Sequence, residues 1–174
     1  MSDYPFKKND HVVYGSGGVC LVEDVGSLRF GSLTQDYYTL RPIEETGSVI
    51  YVPCGNQELT AKLRFVLTEE QIKNTLRAHL SSPMEWQNDR KLRSAQFRAV
   101  LSSGDPIALL SMIRCLLLKK IEFEKNNRKL SLSDMEILTN ASYAISTEIA
   151  FSLGISKAEV TEYIRRILDT DAID

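Results

Sequence analysis

Two histidines, three cysteines and one cluster of glycines are the residues whose chemistry would first suggest a catalyst or a metal centre. His11 and His79 lie far apart, with no Cys, Asp or Glu around them at metal-ligand spacing. Cys20, Cys54 and Cys115 are odd in number and widely separated, which fits free thiols of a reducing compartment better than a disulfide framework. Gly15–Gly18 lacks the Gly-Lys-Ser/Thr sequel of a phosphate loop, and a strand follows it rather than a helix N-terminus. It reads as a β-turn. No Gly-x-Ser-x-Gly elbow or Cys/His pair supplies a nucleophile. The residues therefore point away from an enzyme and imply no cofactor, metal or small-molecule substrate.

Charge is more informative. The formal net charge is only −2, yet residues 84–129 carry ten Lys/Arg against five Asp/Glu and residues 130–174 carry three against eight. A local field of this kind decides what a surface attracts. Within the basic segment stands the only tryptophan, Trp86, followed by Arg90, Lys91, Arg93 and Arg98. A second set, Lys119, Lys120, Lys125, Arg128 and Lys129, comes later. If the two carrying helices are antiparallel, this reading puts the two sets at opposite ends. An aromatic beside cations at a helix N-terminus suits contact with a minor groove or an opened base step. The bland alternatives are a core anchor and a solvated face.

A second nucleic-acid signal is weaker. Glu148–Val160, with Ala150, Gly154, Ile155 and Val160, imitates the centre of a helix-turn-helix. Its recognition helix would present Glu159 and Glu162 with only Lys157 in favour, and phosphate contacts need cations. Helix–turn–helix packing is the better account.

The elements that must hold these residues fall into two sets. Up to residue 66 short runs rich in β-branched and aromatic residues alternate with turn formers: His11–Tyr14, Val19–Val22, Tyr37–Leu40 and Val49–Val52, with another near Leu63–Val66. Asp36–Arg41 is expected to pair with Ser48–Val52 through the Pro42–Gly47 turn. Five short strands are best closed into an SH3- or Tudor-like β-barrel, since a flat sheet of that size leaves bare edges. From residue 67 the period is helical. Thr68 with Gln71 forms a capping box for a helix to about Leu80, and Ser81-Ser82-Pro83 breaks it. A second helix is expected from about Glu85 to Leu101. Asp105-Pro106 starts a third, with Ile107, Leu110, Ile113, Leu117 and Ile121 as its apolar face. Ser131 or Ser133 opens a fourth through Met135, Leu138, Ala141, Ile145 and Ile149. Gly154 ends it, Ser156 caps a last helix, and Asp169–Asp174 is expected to fray. The fold class is α+β, a barrel over 1–66 and a compact helical domain over 67–174. No run reaches the roughly 18 apolar residues of a membrane span, and the polar N-terminus lacks a signal peptide, so the cytoplasm is expected.

The order of these features resembles the CarD family of bacterial regulators, whose N-terminal module is shared with transcription-repair coupling factors. The matching residues are Asn9–Tyr14 with Gly18-Val19, then Tyr37–Leu40 and Ile50–Pro53. They continue with Trp86, Ser103-Gly104-Asp105, Ile113–Leu116 and Lys129-Leu130-Ser131. The resemblance implies that the barrel docks on the RNA polymerase β-subunit by offering a strand edge. That edge would be Ser48–Pro53, with Val49, Ile50, Tyr51, Val52 and Pro53, beside a neighbour near Leu28–Leu33 that carries Arg29. It implies nonspecific minor-groove contact with promoter DNA through Trp86, Arg90, Lys91, Arg93 and Arg98, modulating the open complex. Some relatives carry arginine where this chain has Tyr51. Between Trp86 and Ser103 the chain is also about four residues longer than relatives, about one helical turn, which would move Trp86 some ~6 Å along a helix axis. The reading from a different class is a barrel-plus-bundle protein adaptor without nucleic-acid contact.

Overall fold

The computed structural model describes residues 4–15, 18–81 and 84–170, excepting the side chains at 79–81 and 168–170. The expected turn residues 16–17, the Ser82-Pro83 break, the His79 side chain and the 171–174 tail lie outside the described residues. The chain divides into two compact units, Met1–Val66 and Leu67–Asp174.

The first unit is one antiparallel sheet of β1 (His11–Tyr14), β2 (Val19–Phe30), β3 (Leu33–Pro42), β4 (Ile50–Pro53) and β5 (Leu63–Phe65), in the order β4-β3-β2-β1-β5. The pairing of β3 with β4 matches the expected hairpin, with Tyr38 opposite Val52 and Leu40 opposite Ile50. The expected closed barrel becomes an open, coiled sheet of broadly Tudor-like build: among the described residues β4 and β5 remain edges. Val52 and Leu63, from opposite edges, nevertheless pack in one core with Phe6, Val12, Cys20, Val22, Tyr38 and Leu40. Coiling about that core hides the face a flat sheet would leave bare. β2 and β3 also run further than propensity suggests. They pair out to Phe30 opposite Leu33, past a register shift between Val22 and Asp24. The hairpin closes through Gly31-Ser32, where Gly31 has φ +62°, the first central position of a II′ turn. A short α1 (Gln57–Thr60) follows, capped by the Asn56 side chain.

The second unit holds α2 (Glu69–Ser81), α3 (Arg90–Ser103), α4 (Pro106–Lys125), α5 (Leu132–Leu153) and α6 (Lys157–Thr170). The expected caps are present: Thr68 and Gln71 bond reciprocally, Asp105 Oδ1 accepts from Ile107 and Ala108, and Gly154 closes α5 at φ +63°. Ser131, not Ser133, caps α5, and Asp169-Thr170 belong to α6. Two expectations change. α3 begins at Arg90 rather than Glu85, because Asp89 accepts from the Lys91 and Leu92 amides and fixes the start there. The core face of α4 is Leu109, Leu110, Met112, Cys115 and Leu116, whereas Ile107, Leu117 and Ile121 are exposed. Residues 107–118 are apolar on nearly every side, so periodicity alone could not select the face.

The core joins Ile72, Leu76, Phe97, Met112, Leu116, Ala141, Ile145, Ile149 and Val160. Leu67 is fixed to α5 at both polar groups: its N–H donates to Glu148 Oε1 at 3.1 Å, and the Ser152 hydroxyl donates to its carbonyl. The divided architecture carries a prediction. Leu40 is wholly buried in the sheet core, so Leu40→Ala should cost about 2–5 kcal/mol. In a denaturant titration the tyrosine near-UV signal should shift to lower denaturant while Trp86 fluorescence, confined to the helical unit, keeps its midpoint. A common shift of both would show that the units unfold together.

Candidate nucleic-acid and partner interfaces

Trp86 sits in a non-helical lead-in, residues 84–89, three positions before the Asp89 cap. The ring is half-buried, edge-on to Phe97 at 6.4 Å and to Phe123 at 5.9 Å between centroids. The Arg93 guanidinium lies 4.1 Å from the ring centroid and the Lys119 ammonium 5.6 Å. Phe123 belongs to the end of α4, so the antiparallel turn at Gly104 returns that end to the start of α3. The expectation that antiparallel helices separate the two cation sets is therefore reversed. Lys119 and Arg128, the latter 4.4 Å from the Phe123 ring, join Trp86 in one aromatic–cation cluster. Phe123 and these two cations were not picked out from the sequence as Trp86's neighbours. The signal was available in the distance from Asp105 to Phe123, which matches the return length.

Arg93 stands apart from the other expected phosphate ligands. It is 7 % exposed and forks onto Asp134, Nε to Oδ1 at 3.1 Å and one terminal nitrogen to Oδ2 at 3.0 Å. Its other terminal nitrogen donates to the Gln87 carbonyl at 2.7 Å, tying down the Trp86 segment. Buried and paired in this way, Arg93 braces the Trp86 segment against α5. Asp134 also accepts from the Ser131 hydroxyl at 2.7 Å. Burial by itself raises the Asp134 carboxyl, but the Arg93 and Ser131 hydrogen bonds outweigh it and hold it below the usual carboxylate range. Arg90, Lys91 and Arg98 are exposed. At about 100° per residue, Lys91 and Arg98 share a flank roughly opposite Arg93, and Arg90 lies between that flank and the Trp86 side.

The helix–turn–helix mimic resolves into packing. Glu148 is buried and accepts from Leu67, Val160 is core, and Ser156 with Glu159 forms a capping box. Lys157 sits 3.9 Å from the Tyr143 ring.

In the sheet unit, the Cys54 N–H donates to the Asp36 carbonyl at 2.9 Å. The alternation of an antiparallel ladder then turns the polar groups of Val52 and Ile50 toward β3 and those of Tyr51 outward. Pro53 tolerates its missing N–H because that position also faces away from β3. Val52 is fully buried, Ile50 packs against the core and Val49 is half-buried. Tyr51, 46 % exposed, is thus the main outward feature of the expected docking strand. Arg29 is exposed, pairs across from Thr34, and donates to the Gly31 carbonyl at 3.0 Å.

Reactive chemistry finds little support. Burial, aided by Glu45, pushes the Cys20 thiol up to about 11, and burial with Asp36 does the same to Cys54. Burial also raises Cys115. Thiols held protonated are poor nucleophiles. Among the described residues no His/Cys/Asp/Glu group could hold a metal, and no helix is long and apolar enough to cross a membrane.

Two family models match the chain: the CarD-like/TRCF RID domain over residues 6–67 and the CarD C-terminal domain over residues 71–165. No individual curated protein matches it.

Proposed function

The chain belongs to the CarD family of non-enzymatic transcription factors, as an RNA polymerase-interacting protein, and from that premise we propose that it acts at promoter opening. The sheet unit docks on the polymerase β-subunit by adding the β4 edge to a polymerase strand. The helical unit touches promoter DNA without reading sequence. It does so through the minor groove, with Trp86 at the opened base step and exposed cations on phosphates, and so adjusts the stability of the open complex. The site of action is the bacterial cytoplasm.

One observation carries the DNA half of this reading: the only tryptophan stands just before α3 and against the end of α4, with Arg93 from one basic set and Lys119 from the other at its ring. The phosphate contacts fall to the exposed Arg90, Lys91 and Arg98 of α3 and to Arg128, whose guanidinium lies 4.4 Å from the Phe123 ring. The test is salt dependence of binding to a forked promoter fragment. Each phosphate neutralised contributes about −0.9 to the log–log slope, so a slope of about −2 to −4 is expected. Arg90→Ala and Arg128→Ala should each reduce it by about one. The contact of Trp86 with Phe97 and Phe123 favours a second reading, a protein adaptor using the ring only as a core anchor. A polymerase-bound chain that leaves forked DNA untouched at low salt would select that alternative.

A further inference from the structure

Phe30, Tyr37 and Tyr51 meet on the outer face of the sheet, the face opposite Tyr38 and Val52. Phe30 lies edge-on to Tyr37 at 5.2 Å and 79°, and to Tyr51 at 5.2 Å and 67°; Tyr37 and Tyr51 close the triangle at 6.5 Å. The Gln35 amide donates to the Tyr37 hydroxyl at 2.8 Å and holds that ring. Tyr37 is buried, but Phe30 is 47 % exposed, Tyr51 46 % and Leu33, opposite Phe30, 54 %. Phe30 and Leu33 belong to the half of the hairpin that extends beyond β4, and nothing within the unit requires apolar side chains there.

The ladder places Leu28 and Gln35 on this same face, with Gly26 opposite Tyr37. Between Tyr37 and the hairpin tip the face thus carries no ionised side chain, since Arg29 alternates to the other side. The patch is continuous with Tyr51, whose main-chain groups face outward. Clustered exposed aromatics beside an open edge are what a protein-binding surface requires, and unpartnered they would be an association hazard.

Resting on the docking reading above, we infer that this face is an uncharged aromatic platform for the polymerase. A polymerase segment pairs with the β4 edge and lays alternate aliphatic side chains across Tyr51 and Phe30. The strand repeat of two sets every second side chain of that segment on the rings. The rings' mutual edge-to-face packing keeps them rigid before docking, which lowers the ordering cost. A partner presenting charges would leave them desolvated and unpaired over this face, so aliphatic side chains are the class that fits.

The experiment measures affinity of the full chain for core RNA polymerase. Phe30→Ser and Leu33→Ser lie outside β4 and should each weaken binding by about tenfold, with the circular dichroism spectrum unchanged. Raising salt from about 0.1 to about 0.5 M should change affinity by less than about threefold, because apolar contact is little screened. Parent-like binding by both serine variants overturns the platform, as does a steep loss with salt, which would reveal a charged partner. Tyr51→Pro, which removes the outward N–H, separates the two layers. If it alone abolishes binding, the strand edge stands and the platform falls. If neither it nor the serine variants weaken binding, or if the parent itself does not bind, both fall.

Discussion

Arg93→Ala is expected to destabilise the helical unit by about 3–5 kcal/mol, because it leaves the Asp134 carboxylate buried without its cation. Both side chains are under a tenth exposed, at 8 % and 6 %, and the pair is bidentate. The same truncation removes the guanidinium from the Trp86 ring and the donor from the Gln87 carbonyl. Two elements, α3 and α5, and the lead-in segment therefore lose their common tie. Urea unfolding followed by Trp86 fluorescence reads this unit alone, since no other tryptophan exists. Arg93→Lys should recover only part of the loss, because an ammonium cannot reproduce the fork or the stacking. Asp134→Asn paired with Arg93→Ala should cost less than the two single changes added together. Additive losses would show that the pair is not energetically coupled.

The pair also sets a pH dependence. The Asp134 carboxyl is held below its ordinary value in the folded unit, so folding favours the ionised form. That contribution is fully present above the unfolded carboxyl value near ~3.9 and is lost as pH falls through the lower folded value. The parent helical unit should accordingly lose stability on acidification below about pH 4. In Asp134→Asn this part of the slope should be absent. An unchanged acid slope would assign it to other carboxylates.

Arg93 also shows where the amino-acid sequence stops being legible. A cation four residues after a cap and seven after a lone tryptophan looks like part of a basic face. Only the fold reveals that Asp134, forty-one positions on, meets it, and no local pattern encodes that pairing. The capped elements were readable because caps are local: Thr68 with Gln71, Asp105-Pro106 and Gly154 each bond within a few residues. Asp89 is equally local, but a helix expected from about Glu85 places it inside the helix rather than at the start of α3. The long β2–β3 hairpin escaped because Asp24, Gly26 and Ser27 dilute its strand propensity, while its pairing depends on the turn at Gly31. Phe30 consequently went unnoticed, although it completes the aromatic platform with two tyrosines already in view. The face of α4 was illegible for the opposite reason, an excess of apolar residues.

Trp86→Ala is expected to lower affinity for forked promoter DNA by about 5- to 150-fold, the equivalent of about 1–3 kcal/mol for one base–aromatic contact. Affinity for core polymerase should be unchanged, since the proposed docking surface lies in the sheet unit. The difficulty is that the ring also packs on Phe97 and Phe123, so its loss costs some stability as well. Geometry separates the two roles. Arg93 covers one face of the indole and the two phenylalanines meet it edge-on, which leaves the ring half-exposed yet braced. A braced aromatic is suited to wedging, because little side-chain freedom is lost when it enters a base step. Trp86→Leu tests this: leucine can fill the contact with Phe97 and Phe123 but cannot stack on a base. It should unfold close to the parent midpoint in far-UV circular dichroism while binding forked DNA nearly as poorly as Trp86→Ala. Trp86→Phe, which keeps a ring, should regain much of the affinity. If Trp86→Leu instead binds forked DNA like the parent, or if affinity tracks stability across all three variants, the ring is a core anchor. The cations around it would then be a solvated face.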